Sequence, residues 1–126
     1  MTAYLTRADL FAIIEEVLPR TVTIRDHGQL QAATLRPQTT AFAEDAYPDL
    51  WEKAAALMQS LLIGRPLSDG NKRLAWTSGK AFLRYNGEKV GAPGTDAAYE
   101  PVVAVTTGEI VDVPKIADLL RALLRP

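Results

Sequence analysis

At 126 residues, 48% of them hydrophobic and 23% charged, the chain has the size and balance of one globular domain, residues 1–126, built around a single core. A formal net charge of -1 supplies no general attraction to nucleic acid or to an anionic membrane, so neither is expected as a direct partner. With no cysteine and one histidine, disulfides, thiolate sites and histidine-based metal centres are excluded.

The N-terminal stretch Met1–Arg7 lacks the basic-then-apolar layout of a secretory signal, and no apolar run is long enough to span a membrane. A soluble, cytoplasmic protein is the expectation. Thr6 followed by Asp9 reads as a capping box. Leu10, Ile13, Ile14, Val17 and Leu18 then recur at helical spacing until Pro19 ends the pattern. The β-branched run Thr21-Val22-Thr23-Ile24 suggests a short extended piece. A short helix is predicted from about Gln29 to Leu35, closed by Arg36-Pro37. After a polar segment, Leu50, Trp51, Ala54, Ala55, Met58, Leu61 and Leu62 trace a long apolar helix.

Residues 64–68 form a loop, and a second long helix is predicted from about Asp69 to Tyr85, with Asn86-Gly87 as its stop. Its Ala75, Gly79 and Phe82 mark a buried face. A turn-rich connector, Ala92 to Asp96, precedes a shorter helix from about Ala98 to Thr107, in which Pro101 is expected to lie in the first turn. Ile116, Leu119, Leu120, Leu123 and Leu124 give a last amphipathic helix begun near Pro114. The fold class is therefore all-α, a bundle of about six helices.

The chemistry concentrates in Arg65-Pro66-Leu67-Ser68-Asp69-Gly70-Asn71-Lys72-Arg73. Asp, Gly and Asn favour turns and helix starts, and a helix start offers free N–H groups and the positive end of the dipole to an anion. Asn71, Lys72 and Arg73 add donors there, and Asp69 could hold a divalent cation bridging phosphate oxygens. As bland readings, Lys80 and Arg84 are a solvated helix side, Trp51 and Trp76 belong to the core, and His27 is a turn or partly buried residue.

The run Asp69-Gly70-Asn71-Lys72-Arg73 resembles the Fic/Doc family signature, His-x-Phe-x-(Asp/Glu)-(Gly/Ala)-Asn-(Gly/Lys)-Arg. Leu67 replaces the Phe conservatively, and Arg65 stands where the family has its catalytic histidine. The likeness reaches from about residue 23 to 125 through Arg25-Asp26-x-Gly28, Phe82 to Gly87 and Thr107-Gly108-Glu109-Ile110. Fic-type members usually read Gly-Asn-Gly-Arg with a further Arg three residues on. Lys72 and Trp76 at those places point to the Doc branch.

That resemblance implies a small helical bundle with the signature loop before a central helix. It implies a toxin that transfers the ATP γ-phosphate to a threonine of elongation factor Tu, restrained by a Phd-like antitoxin. No Glu here is followed by Gly or Asn, so the internal inhibitory segment of many Fic enzymes is not expected. ATP and Mg²⁺ are the implied cofactors, with Asp69 on the metal, Gly70 admitting the phosphates, and Asn71, Lys72 and Arg73 orienting them. Arg65 cannot act as the general base, since a guanidinium stays protonated and has no acceptor. A lost general base costs about 100- to 10,000-fold in rate, so impaired turnover is expected. The alternatives are a Fic-type protein AMP-transferase and a catalytically dead antitoxin-binding module.

Overall fold

A computed structural model describes the backbone of residues 1–126 and every side chain except that of Thr95. In chain order it contains α1 (Arg7–Val17), α2 (His27–Leu35), a 3-10 turn (Arg36–Gln38), a hairpin of β1 (Thr40–Ala41) and β2 (Glu44–Asp45), then α3 (Leu50–Gly64), α4 (Asn71–Tyr85), α5 (Thr95–Thr106) and α6 (Val113–Leu124). The all-α expectation holds, with six α-helices among the described residues. None of these helices is long and apolar enough to cross a membrane.

Most of the helices start where a short polar side chain takes up a first-turn N–H. Thr6 Oγ1 accepts from Asp9 N at 3.2 Å while the Asp9 carboxylate accepts from Thr6 N at 2.7 Å, the capping box the sequence suggests. Asp26, Asp49 and Asp112 cap α2, α3 and α6 in the same way. The Asp26 cap begins α2 at His27, two residues before the expected start. His27 is thus an exposed first-turn residue, its ring edge toward Phe11.

α3 is the central helix, packing on α2, α4, α5 and α6. Residues 53–59 are all buried, including Lys53, whose side chain is only 2% exposed. Its ammonium is paired with Asp45 at 3.1 Å and donates to the Tyr47 carbonyl, so the buried charge is satisfied and ties the hairpin to α3. α4 presses its Ala75, Gly79 and Phe82 face against this core, as its pattern predicts. A Cβ on Gly79 would overlap Met58 Sδ, so glycine lets α3 and α4 approach closely. α4 ends in a Schellman motif, with Glu88 N donating to Leu83 O at 3.0 Å and Gly87 N to Arg84 O at 3.1 Å around a left-handed Gly87 (φ 85°).

Three local expectations are corrected. α4 begins at Asn71 rather than Asp69, because Gly70 takes a left-handed conformation (φ 81°) that no helix interior admits. α5 begins at Thr95, three residues early, since Gly94 O already accepts from Ala97 and Ala98. Pro101 therefore lies in the second turn, at the cost of one helical hydrogen bond to Ala97. The Thr21–Ile24 run forms no strand of its own and contributes one antiparallel bridge, Ile24 to Leu67. The hairpin at residues 40–45 carries no strong pattern in the sequence.

Candidate active site

The residues singled out by sequence meet at the junction of α3 and α4. Arg65 caps α3 in a left-handed conformation (φ 47°, ψ 60°), which turns the chain sharply out of that helix. Pro66 and Leu67 then plunge into the core, Leu67 being 1% exposed. The loop is stapled to residues 23–26: Arg25 N and Asp26 N both donate to Pro66 O, at 2.7 and 3.1 Å. Ser68 N donates to Thr23 O at 2.9 Å, and Thr23 N donates to Ser68 Oγ at 2.9 Å. The extended piece before α2 is thus the backing strip of the loop.

From inside, Asn71 holds the same loop. Its Oδ1 accepts from Leu67 N at 2.9 Å and its Nδ2 donates to Leu67 O at 3.1 Å. That amide is committed to shaping the loop, so the donors facing outward are those of the backbone, Lys72 and Arg73. Gly70 permits the final turn: a Cβ there would lie 2.6 Å from Leu18 Cδ2, and the backbone φ disfavours any side chain.

What results is an open helix start. α4 has no side-chain cap, and among the described residues the N–H groups of Asn71, Lys72 and Arg73 meet no acceptor. The cleft in front of them is about 320 Å³, walled by Arg65, Asp69, Lys72 and Arg73, with Leu62 and Thr106 behind. The helix dipole places roughly half a positive charge at this point, and three cationic side chains stand at its rim. One carboxylate joins them. Asp69 Oδ1 accepts from Gly70 N at 2.9 Å, and its Oδ2 has no protein donor among the described residues. No cluster of three or more acidic or histidine side chains surrounds it there, so a cation would be held by this carboxylate and by phosphate oxygens. Mg²⁺ is commonly bound in that way.

The Fic/DOC family pattern matches residues 4–83. The chain belongs to the Fic/DOC family. It is 47% identical over 92 residues to "Toxin Doc" of Mycolicibacterium smegmatis, spanning 73% of this chain and 71% of that protein. Over 98 residues it is 35% identical to "Protein kinase doc" of Escherichia phage P1, spanning 78% of this chain and 75% of the relative. In this Fic/DOC chain the run that resembles the signature forms the open α4 start just described, with Arg65 exposed at the rim of the cleft.

Sequence reasoning missed Ser68 and Thr106, which also line the cleft. Ser68 sits inside the signature at a position it leaves free. Thr106 comes from the far end of α5, where it donates to Val102 O at 2.8 Å, and only the tertiary fold brings it here. Lys80 also departs from the bland reading: it is half-buried, its ammonium 5.4 Å from the centre of the Trp76 ring. Burial and the neighbouring Arg84 push the Lys80 ammonium below the usual lysine range.

Proposed function

We propose that this chain is a Doc-type toxin of a toxin–antitoxin pair, a protein phosphotransferase by descent, whose cleft binds the phosphates of Mg²⁺-ATP. The observation that carries the reading is the uncapped α4 start, three free N–H groups facing a cleft rimmed by Arg65, Lys72 and Arg73. The names of the two relatives, a toxin and a protein kinase, support the same direction.

In this reading the γ-phosphate passes to a hydroxyl of a translation factor, elongation factor Tu, and protein synthesis stops. Phosphoryl transfer asks mainly for positioning and charge neutralisation. Lys72, Arg73 and the α4 N–H groups hold the phosphate oxygens, and Gly70 keeps the approach clear. Asn71 acts one step back, fixing Leu67 and hence the loop. Asp69 holds Mg²⁺, which when bound neutralises phosphate charge. Arg65 adds positive charge but cannot take the acceptor's proton, so binding outlasts turnover. Restraint comes from an external antitoxin of the Phd type.

Transfer to elongation factor Tu from ATP labelled at the γ or the α position, by this chain and by Arg65→His, tests the reading. Label from the γ position only, appearing with the histidine form, is the expected result. Label from the α position would make it an AMP-transferase. Silence from both folded proteins would remove the substrate assignment and leave a binding protein.

A further inference from the structure

The tip of the hairpin is built against local preference. β1 and β2 pair Ala41 with Glu44, so Phe42 and Ala43 make a two-residue turn, and both carry a positive φ, 53° and 64°. Such turns are usually made by Asn-Gly or Gly-Gly, because a side chain is strained in the left-handed region. Phe42 is also fully exposed, at 103%. The chain thus accepts strain to hold a bare aromatic ring out in solvent. The base of the projection is fixed, with Asp45 paired to the buried Lys53. Glu44 is exposed beside the tip and has no ion-pair partner among the described residues.

A surface that complements this tip lies elsewhere on the chain. Between α4 and α5 a second cleft, about 340 Å³, has Lys72, Arg73, Trp76, Lys80 and Tyr99 among its walls. Trp76 packs its inner side on the core, and Tyr99 is exposed. None of the three cations has an acidic partner among the described residues. Burial and the neighbouring Arg84 push the Lys80 ammonium down, so an arriving carboxylate is favoured there. Two other open grooves are unsuited to Glu44, since one carries Glu100 and Glu109 and the other Asp9 and Glu16.

We propose that the hairpin tip of one copy docks in this cleft of a second copy, Phe42 against Trp76 and Tyr99 and Glu44 against Lys80. Residues 40–45 line no part of the cleft in their own chain and are held at their base by Lys53, so the contact joins two molecules. Charge complementarity selects the cleft, and the ring supplies the buried aromatic anchor that dominates many interfaces. A net charge of -1 leaves little repulsion between copies. Tip and cleft are different surfaces, so the contact is head-to-tail and growth continues unless a ring closes. The docking goes beyond the phosphate-transfer reading and is independent of it.

Sedimentation velocity of the full chain tests the contact. The average mass of the unaltered chain should rise with concentration. Phe42→Asn, which suits a left-handed position and keeps the hairpin, should weaken the association about tenfold or more. Lys80→Glu, on a half-buried helix position next to Arg84, should do the same. An equimolar mixture of the two variants should nevertheless form a dimer that grows no further, one supplying the cleft and the other the tip. An unaltered chain that stays monomeric up to about 1 mM would overturn the proposal. So would an association that survives Phe42→Asn, or a mixture of the two folded variants that stays monomeric.

Discussion

The side-chain amide of Asn71 bonds both polar backbone groups of Leu67, accepting from its N–H at 2.9 Å and donating to its carbonyl at 3.1 Å. Four residues of loop are thereby closed by one side chain that imitates a strand partner. Removing it leaves two backbone groups of a buried residue unpaired, which costs about 1–3 kcal/mol. Asn71→Ala should lower the urea midpoint accordingly and weaken tripolyphosphate binding, because the loop no longer fixes the α4 start. Asn71→Asp keeps the acceptor and loses the donor, so its stability should fall between the two. Unchanged stability in Asn71→Ala would show that the loop is held from the Thr23–Asp26 side alone.

This pair also shows how far the sequence could be read. The Asn and its spacing were legible, since turn and cap chemistry is local and five signature residues lie together. The direction of the amide, inward to Leu67 rather than outward to a ligand, was not. It depends on Leu67 being buried by the bridge to Ile24, a contact spanning more than forty residues. The helices were legible wherever one face is apolar, and Asp26 and Gly94 shifted two starts because caps act before the periodic pattern begins. That Trp76 of α4 and Tyr99 of α5 line one cleft was not legible, because it depends on how both helices pack on α3.

Two glycines flank the site and should respond oppositely to alanine. At Gly70 a Cβ meets the methyl groups of Leu18 and the backbone φ is 81°. Left-handed backbone alone costs a non-glycine residue about 1–2 kcal/mol, and the clash adds to it. At Gly64 the nearest atom is the far end of the Gln29 side chain, 2.7 Å away, which can swing aside. A helical Gly→Ala change gains about 0.5–1 kcal/mol. Gly70→Ala should therefore lose stability and tripolyphosphate binding together, while Gly64→Ala should unfold no earlier than the unaltered chain. Equal urea midpoints for the two variants would contradict the loop geometry.

A pH signature should come from the start of α3. Burial pushes the Glu52 carboxyl above its ordinary 4.5, the nearby Asp49 carboxylate adds to the rise, and Arg121 opposes it. A carboxyl raised in the folded state contributes its full stability below pH 4.5. That contribution is lost as pH climbs from there through the folded value, and is constant beyond. Glu52→Gln should abolish this component, so its stability advantage over the unaltered chain should grow between pH 4 and 7. Arg121 holds Asp49 at 2.7 Å and Asp118 at 2.8 Å. Arg121→Gln should enlarge the component and cost on the order of 1 kcal/mol at neutral pH. Parallel pH profiles for Glu52→Gln and the unaltered chain would remove Glu52 from the account.

Arg65 combines a left-handed backbone, φ 47°, with the place at the cleft rim where the signature resemblance puts a histidine. Histidine is among the non-glycine residues that adopt this conformation more readily, so Arg65→His should fold with stability within about 0.5 kcal/mol of the unaltered chain. Its activity should then report the base. Only neutral imidazole can take the acceptor's proton, so the rate should rise as pH passes roughly 6.5 and level off above. The unaltered chain, with a guanidinium protonated throughout, should stay flat and slower by about 100-fold or more across the same range. Arg65→Gly separates backbone from chemistry: it relaxes the strained φ, should gain up to about 1 kcal/mol, and should remain as inactive as the arginine form. A histidine form active without pH dependence between 5.5 and 8 would mean that the proton leaves by another route, and that Arg65 blocks turnover by its size or charge instead.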